Sequence, residues 1–314
     1  MKNFRRFALL SLIAAYILIF VGGLVRVSGA GLGCPDWPTC FGRWIPPTSV
    51  SQLPPDIDPA SFNFTLAWLE YINRLIGIVV GLFITITAIL AIKNFLKKPK
   101  ILIPSIITFL LVAYQGWQGG QVVTSQLAPF IVSIHLVLAL IIVGLLVYIN
   151  RQAHYLEHPD TDMAMVFPSK SGAWMNALWL ALIFEIILGT HLRSILVPEQ
   201  GPTATASLGL PGPLVTIDFL HPLIGLIIAL YTWLFGYSLL KRGQNLPGSI
   251  KKSAVAMMIL MLVQIVAGVI LIMTGAPGLI QILHLWIASF YIGILIFVHS
   301  TYNRYRKLVD AKAH

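Results

Sequence analysis

The chain has 314 residues, of which 57% are hydrophobic and only 10% charged, and its formal net charge is +10. An ordinary soluble domain is about 45–50% apolar and about 25% charged, so soluble enzyme folds and nucleic-acid-binding modules are excluded and the lipid bilayer is the expected surrounding. Two cysteines are too few for a disulfide framework or a zinc ribbon.

About 20 apolar residues suffice for a helix to cross a bilayer. Such stretches fall at residues 8–27, 66–92, 101–124, 129–149, 173–194, 215–240, 253–275 and 278–299. The first runs into Val27-Ser28-Gly29-Ala30 without a convincing cleavage site, so it is expected to be retained as a helix rather than removed as a secretory signal. Between the first two spans lies the longest outer loop, residues 28–65, with Cys34-Pro-Asp-Trp-Pro-Thr-Cys40. In an oxidising compartment this pair is expected to close a disulfide, and the loop has no histidine to complete a metal site. From Ile78 to Ile92 the second span is apolar on every face, whereas a barrel strand would alternate. The spans are therefore helices.

All but four of the 21 Lys and Arg fall at the two termini and in the segments 93–100, 151–170 and 241–252. The other side keeps Arg26, Arg43, Arg74 and Arg193 and no lysine. The positive-inside rule then places both termini in the cytoplasm, and the lack of an Arg-rich, Ser-rich transit segment favours a bacterial inner membrane.

The chain repeats itself. Glu70-Tyr-Ile-Asn73-Arg74-Leu-Ile-Gly77 in the second span corresponds to Asp218-Phe-Leu-His221-Pro222-Leu-Ile-Gly225 in the sixth. Gln115 and Gly119 correspond to Gln264 and Gly268, and His135, Ala139 and Gly144 to His284, Ala288 and Gly293. The first span ends Gly22-Gly-Leu-Val-Arg26 and the fifth Gly189-Thr-His191-Leu-Arg193. The expected architecture is all-α and integral to the membrane: two tandem four-helix bundles, residues 1–150 and 151–314, of equal orientation and related by a pseudo-two-fold along the membrane normal.

Ionisable groups inside a membrane are costly and mark function by default; here they are Glu70, His135, Glu185, His191, Asp218, His221 and His284. Any one of the histidines is as readily an interhelical hydrogen bond. The repeat adds weight to another reading, because His221 and His284 each lie about 10 Å inside the outer end of a helix, at 1.5 Å per residue. Two imidazoles at one level of a helix bundle suit the axial positions of a haem iron. A small residue one turn deeper, Gly77, Ala139, Gly225 or Ala288, leaves clearance for a macrocycle, although small residues are also common at membrane helix contacts. Arg26, Arg74 and Arg193 are candidates to pair haem propionates, or else snorkel to the interface. In the N-terminal half Asn73 stands at the first histidine position, so His135 is the only strong ligand there and an open iron position is expected. Glu70 is either a proton relay or an i,i+4 partner of Arg74.

The stretch Gly22 to Cys40, the Glu70-Tyr-Ile-Asn73-Arg74 motif and the single histidines at repeated positions resemble the haem A synthases over essentially the whole chain. That resemblance implies an oxidoreductase that converts the C8 methyl of haem O to the formyl of haem A. It implies haem b held by His221 and His284, with Arg193 toward a propionate. It implies haem O as substrate near His135, Asn73, Arg26 and Arg74, Glu70 as the acidic catalytic residue and Cys34–Cys40 as the outer cysteine pair. An external electron donor and a haem O synthase are the expected partners. Asn73, where many members carry His, Pro222, where Arg is common, and the absence of a second cysteine pair at 195–214 are departures. Two other readings stand beside it: a two-haem electron carrier of the cytochrome b561 type, against which Asn73 argues, and a noncatalytic assembly subunit. A duplicated transporter would place charges or broken helices at midplane.

Overall fold

A computed structural model describes residues 1–158, 165–196 and 213–313; the side chains of residues 191–196, 213–218 and 311–313, among them His191, Arg193 and Asp218, lie outside the described residues, as does most of the 195–214 loop. The helices are α1 (Lys2–Val27), α2 (Phe64–Phe95), α3 (Pro99–Thr124), α4 (Pro129–Glu157), α5 (Ser171–Leu196), α6 (Pro213–Arg242), α7 (Gly248–Thr274) and α8 (Gly278–Ala313). All eight are long and apolar enough to cross a membrane, and the described residues form no strand, only two isolated bridges. Several helices run past the expected spans, α1 from Lys2 and α8 to Ala313. Apolarity sets the length of a span, but backbone hydrogen bonding continues through polar residues until a cap or proline stops it.

Local signals fix the ends. Asn63 caps α2 by accepting from the Leu66 amide at 3.1 Å. Pro99 opens α3, where its missing N–H has no intrahelical use. Gly275, at φ 73°, closes α7 by donating to the Leu271 carbonyl, and Pro277 prevents continuation.

The chain forms two compact units, Met1–Ile149 with Pro277–Trp286, and Asn150–Ala276 with Ile287–His314. The outer end of α8, Pro277–Trp286, packs with the first unit rather than with the rest of its helix. There Trp286 donates to the Tyr16 carbonyl at 2.9 Å, and its ring lies 5.1 Å from that of Phe20. Within the first unit α1 packs on α2 and α2 on α3; within the second α5 packs on α6 and α6 on α7.

Each unit has an apolar core between its helices. In the first it consists of Ala15, Ile19, Val80, Ile84, Ile142, Val143 and Leu146. In the second, Leu178, Leu182, Ile228, Phe235, Met257, Met261 and Leu295 are central. In chain direction these cores stop just short of Gly22, Asn73 and His135 in one unit, and of Glu185, His221 and Gln264 in the other. Leu82, Leu110, Ile183, Leu230, Leu262 and other large apolar side chains remain exposed along the helices, the surface that hydrocarbon covers.

The outer loop is folded onto the first unit. Cys34 and Cys40 are joined by a disulfide and are fully buried with Phe41 and Ala67, under Leu53, Ile57 and Phe62. Asp36 stiffens the ring by accepting from the Phe41 amide at 2.6 Å, the Gly42 amide at 2.9 Å and the Thr39 hydroxyl. Trp37 lies against α3, where a Cβ at Gly120 would fall 2.8 Å from its ring, and a Cβ at Gly33 would fall 2.4 Å from the Leu66 carbonyl oxygen. Since backbone cannot yield there, Gly33→Ala should cost about 1–3 kcal/mol by overpacking and lower the thermal unfolding midpoint in detergent. Gly81→Ala, with nothing within 4 Å of the new methyl, should leave it unchanged.

Candidate functional site

In the first unit the loop meets α2 through one ion pair. Glu70, 4% exposed, accepts the Cys34 amide at 2.8 Å on one oxygen and the Arg74 guanidinium on the other. Arg74 also donates to the carbonyls of Thr39 at 2.7 Å, Asp36 at 3.0 Å and Pro38 at 3.3 Å. The guanidinium therefore closes the disulfide ring's carbonyls and is directed at the loop. The i,i+4 pairing of Glu70 and Arg74 is present, with a function that spacing alone does not reveal: it seats the disulfide on the membrane end of α2.

One residue beyond Glu70's turn the character changes. Asn73 Oδ1 is buried without a hydrogen-bond partner among the described residues, 3.8 Å from where a Cβ would stand on Gly22. Gln115 donates to the His135 carbonyl at 2.9 Å, yet its own Oε1 is likewise unpartnered. A Cβ at Gly77 would meet nothing within 4 Å, so α2 borders open space one turn below Asn73.

The His135 ring is fixed from α3. Gln118 donates its Nε2 to the Ile131 carbonyl at 2.8 Å, which leaves Oε1 to accept from His135 Nδ1. The proton is thereby held on Nδ1 and the lone pair on Nε2, the form of imidazole that ligates a metal. Gln118 was not legible as a site residue, because its repeat counterpart is Ala267 and an amide in an apolar helix carries no signature of its partner.

In the second unit His221 Nδ1 lies 3.0 Å from Glu185 Oε1, the two side chains being 23% and 15% exposed. The imidazole fits against Gly189, where a Cβ would fall 2.9 Å from Cε1, while Gly225 gives way to the Glu185 carboxylate. The clearance read at Gly225 is thus partly taken up by this carboxylate. Glu185 Oε2 and Gln264 Oε1 are buried with no hydrogen-bond partner among the described residues. His284 is half-buried in the part of α8 that belongs to the first unit, and Arg26 is half-buried in the last turn of α1. Among the described residues no three His, Cys, Asp or Glu side chains cluster as a metal-ion site.

Buried polar atoms are normally satisfied. Here Asn73, Gln115, Glu185 and Gln264 are exceptions, in the two units that carry His135, with Gln118 on its Nδ1, and His221, with Glu185 Oε1 at 3.0 Å from its Nδ1. That donor set fits a large, flat, apolar group held by single nitrogen ligands and does not fit a bare divalent cation, which would need several ligands at one point.

Fold and site define an all-helical multi-pass membrane protein with half-buried histidines on its spans. The chain matches the COX15-CtaA family, described as cytochrome oxidase assembly protein, over residues 5–296, and it belongs to that family. Among relatives, a haem A synthase of Rickettsia prowazekii is 26% identical over 95% of this chain and 97% of its own length. That of Rickettsia felis is 25% identical over 92% and 95%. A haem A synthase of Shewanella oneidensis is 33% identical over 51% of this chain and 49% of its own length. The protein is a multi-pass protein of the bacterial inner membrane.

The clamp generates a prediction. Arg74→Leu leaves the Glu70 carboxylate buried without its cation, which costs about 3–5 kcal/mol, and releases three loop carbonyls. The Cys34–Cys40 disulfide should then be reduced by dithiothreitol markedly faster than in the unaltered protein, as followed by alkylation and mass spectrometry.

Proposed function

We propose that this protein is a haem A synthase, an oxidoreductase of the inner membrane that acts on haem O and converts its C8 methyl to the formyl group of haem A. The observation that supports this reading most directly is the His135–Gln118 pair beside the unpartnered Asn73 and Gln115 in a chain of this family. His135 binds the substrate iron through Nε2. Asn73 offers no imidazole to the other axial face, so that face stays exchangeable, as turnover of a substrate haem requires. An electron carrier with paired ligands in both halves would need an imidazole at that position.

Converting a methyl to a formyl group adds one oxygen atom and, with water as its source, releases four electrons and four protons. Glu70 is the only carboxylate between residues 59 and 156, so it is the acidic side chain available to hold or pass a proton in this half. It is positioned by the Cys34 amide and Arg74 at the boundary between the loop and the substrate space. Arg26 pairs with substrate propionate at the outer edge; Arg74, turned toward the loop, contributes there by holding Glu70 and the disulfide ring. His221 and His284 ligate a resident haem b, with Arg193 toward a propionate. Their assignment rests on the sequence repeat and the family. When bound, haem b would supply one-electron redox chemistry between the substrate half and an external electron-transfer partner.

His135→Ala should abolish conversion of haem O while sparing the haem b spectrum, and His221→Ala or His284→Ala should each lose tightly bound haem b; optical spectra and extracted haem types of purified protein check both. Normal conversion after His135→Ala would reject the substrate site. Asn73→His supplies a second strong ligand and should turn bound haem O low-spin, read in the same spectra. Glu70→Gln keeps size while removing charge. A large fall in turnover with haem O still bound would place Glu70 in the chemistry, whereas unchanged turnover would confine it to seating the loop.

A further inference from the structure

We propose that Glu185 is a positioning residue for the haem b ligand His221, and that its charge holds the bound iron toward the oxidised state; this rests on the reading of His221 as an axial ligand. Glu185 is the only acidic side chain between Ser171 and Thr190 in α5, in a hydrophobic span where an ionisable group is costly. The cost has a local recipient. Its Oε1 meets His221 Nδ1 at 3.0 Å, its Oε2 has no hydrogen-bond partner, and among the described residues no lysine or arginine is paired with it. A carboxylate oxygen 3.0 Å from Nδ1 favours the tautomer with the proton on that nitrogen and the lone pair on Nε2, and makes Nε2 a stronger donor. With no lysine or arginine paired to it among the described residues, its negative charge also favours the more positive iron state in a low-dielectric surround.

The repeat supplies an internal comparison. At the position corresponding to Glu185 in the first half stands Leu18, and at the position of His221 stands Asn73. Acid and imidazole are present together in one half and absent together in the other. Gly189 and Gly22 face these positions alike, one against the His221 ring and one against Asn73 Oδ1. The carboxylate therefore goes with the ligand rather than with the helix packing. His135, the proposed substrate ligand, has instead the neutral Gln118 on its Nδ1. A carboxylate partner suits a resident haem that must pass electrons onward, and an amide partner suits a substrate that must leave.

The test uses the purified holoprotein. In Glu185→Gln the side chain keeps its size and an oxygen to face Nδ1, but the charge is gone. Haem b should remain bound and low-spin, and at a fixed ambient potential its ratio of reduced to oxidised form should rise by about an order of magnitude, the scale on which such outer partners act. Glu185→Leu, the residue of the other half, should show the same shift together with weaker haem retention and altered low-spin electron paramagnetic resonance. An unchanged ratio and unchanged resonance in both variants would overturn the inference, and so would loss of haem b from Glu185→Gln, because charge rather than ligation is what distinguishes that variant. A His221→Ala variant is measured alongside: if it keeps the unaltered low-spin haem b, the ligand reading itself has failed, whereas its loss of haem with no effect of Glu185→Gln rejects only the role of the carboxylate.

Discussion

Within a bilayer a polar group has no water to fall back on, and the arrangement of this protein follows from how each one is answered. Backbone groups are satisfied inside eight helices. Glu70 and Arg74 satisfy each other and the loop, Gln118 is placed between a carbonyl and an imidazole, and Glu185 has an imidazole on one oxygen. What is left over, at Asn73, Gln115, Glu185 and Gln264, lies at one boundary in each unit, where the apolar packing ends. Unsatisfied donors and acceptors at the edge of a core mark the place a further group occupies more reliably than any single residue type does.

The two halves share a scaffold and differ in what they hold. The same helix neighbours and the same glycine approaches recur, yet the imidazole of one half is an amide in the other, and the acid of one is a leucine in the other. Duplication accounts for such economy physically. Helix packing tolerates exchange of a few polar side chains at the outer level because stability resides mainly in the apolar layer beneath, in the Leu146 and Leu295 regions. Ligand chemistry can then diverge without disturbing the fold.

The disulfide loop joins this chemistry to the outside. Cys34 donates its amide to the carboxylate that sits one turn from Asn73, so the covalent state of the cysteine pair and the position of Glu70 are mechanically linked through one short hydrogen bond. Asp36 and Arg74 tighten the same ring from opposite sides.

Eight spans, the repeat and the cysteine pair were legible in the sequence, and the histidines stood out by their chemistry, because hydropathy, period and residue chemistry are local properties. Partners were not. That His135 is oriented by Gln118, that Glu185 comes within 3.0 Å of His221, that Arg74 faces the loop, and that the stretch of α8 carrying His284 packs with the first unit each depend on the rotation and axial register of one helix against another. In an all-apolar helix those two quantities are poorly specified by pattern, since every face is compatible with burial or lipid. Interdigitation of side chains between helices sets them, and only the tertiary structure decides it.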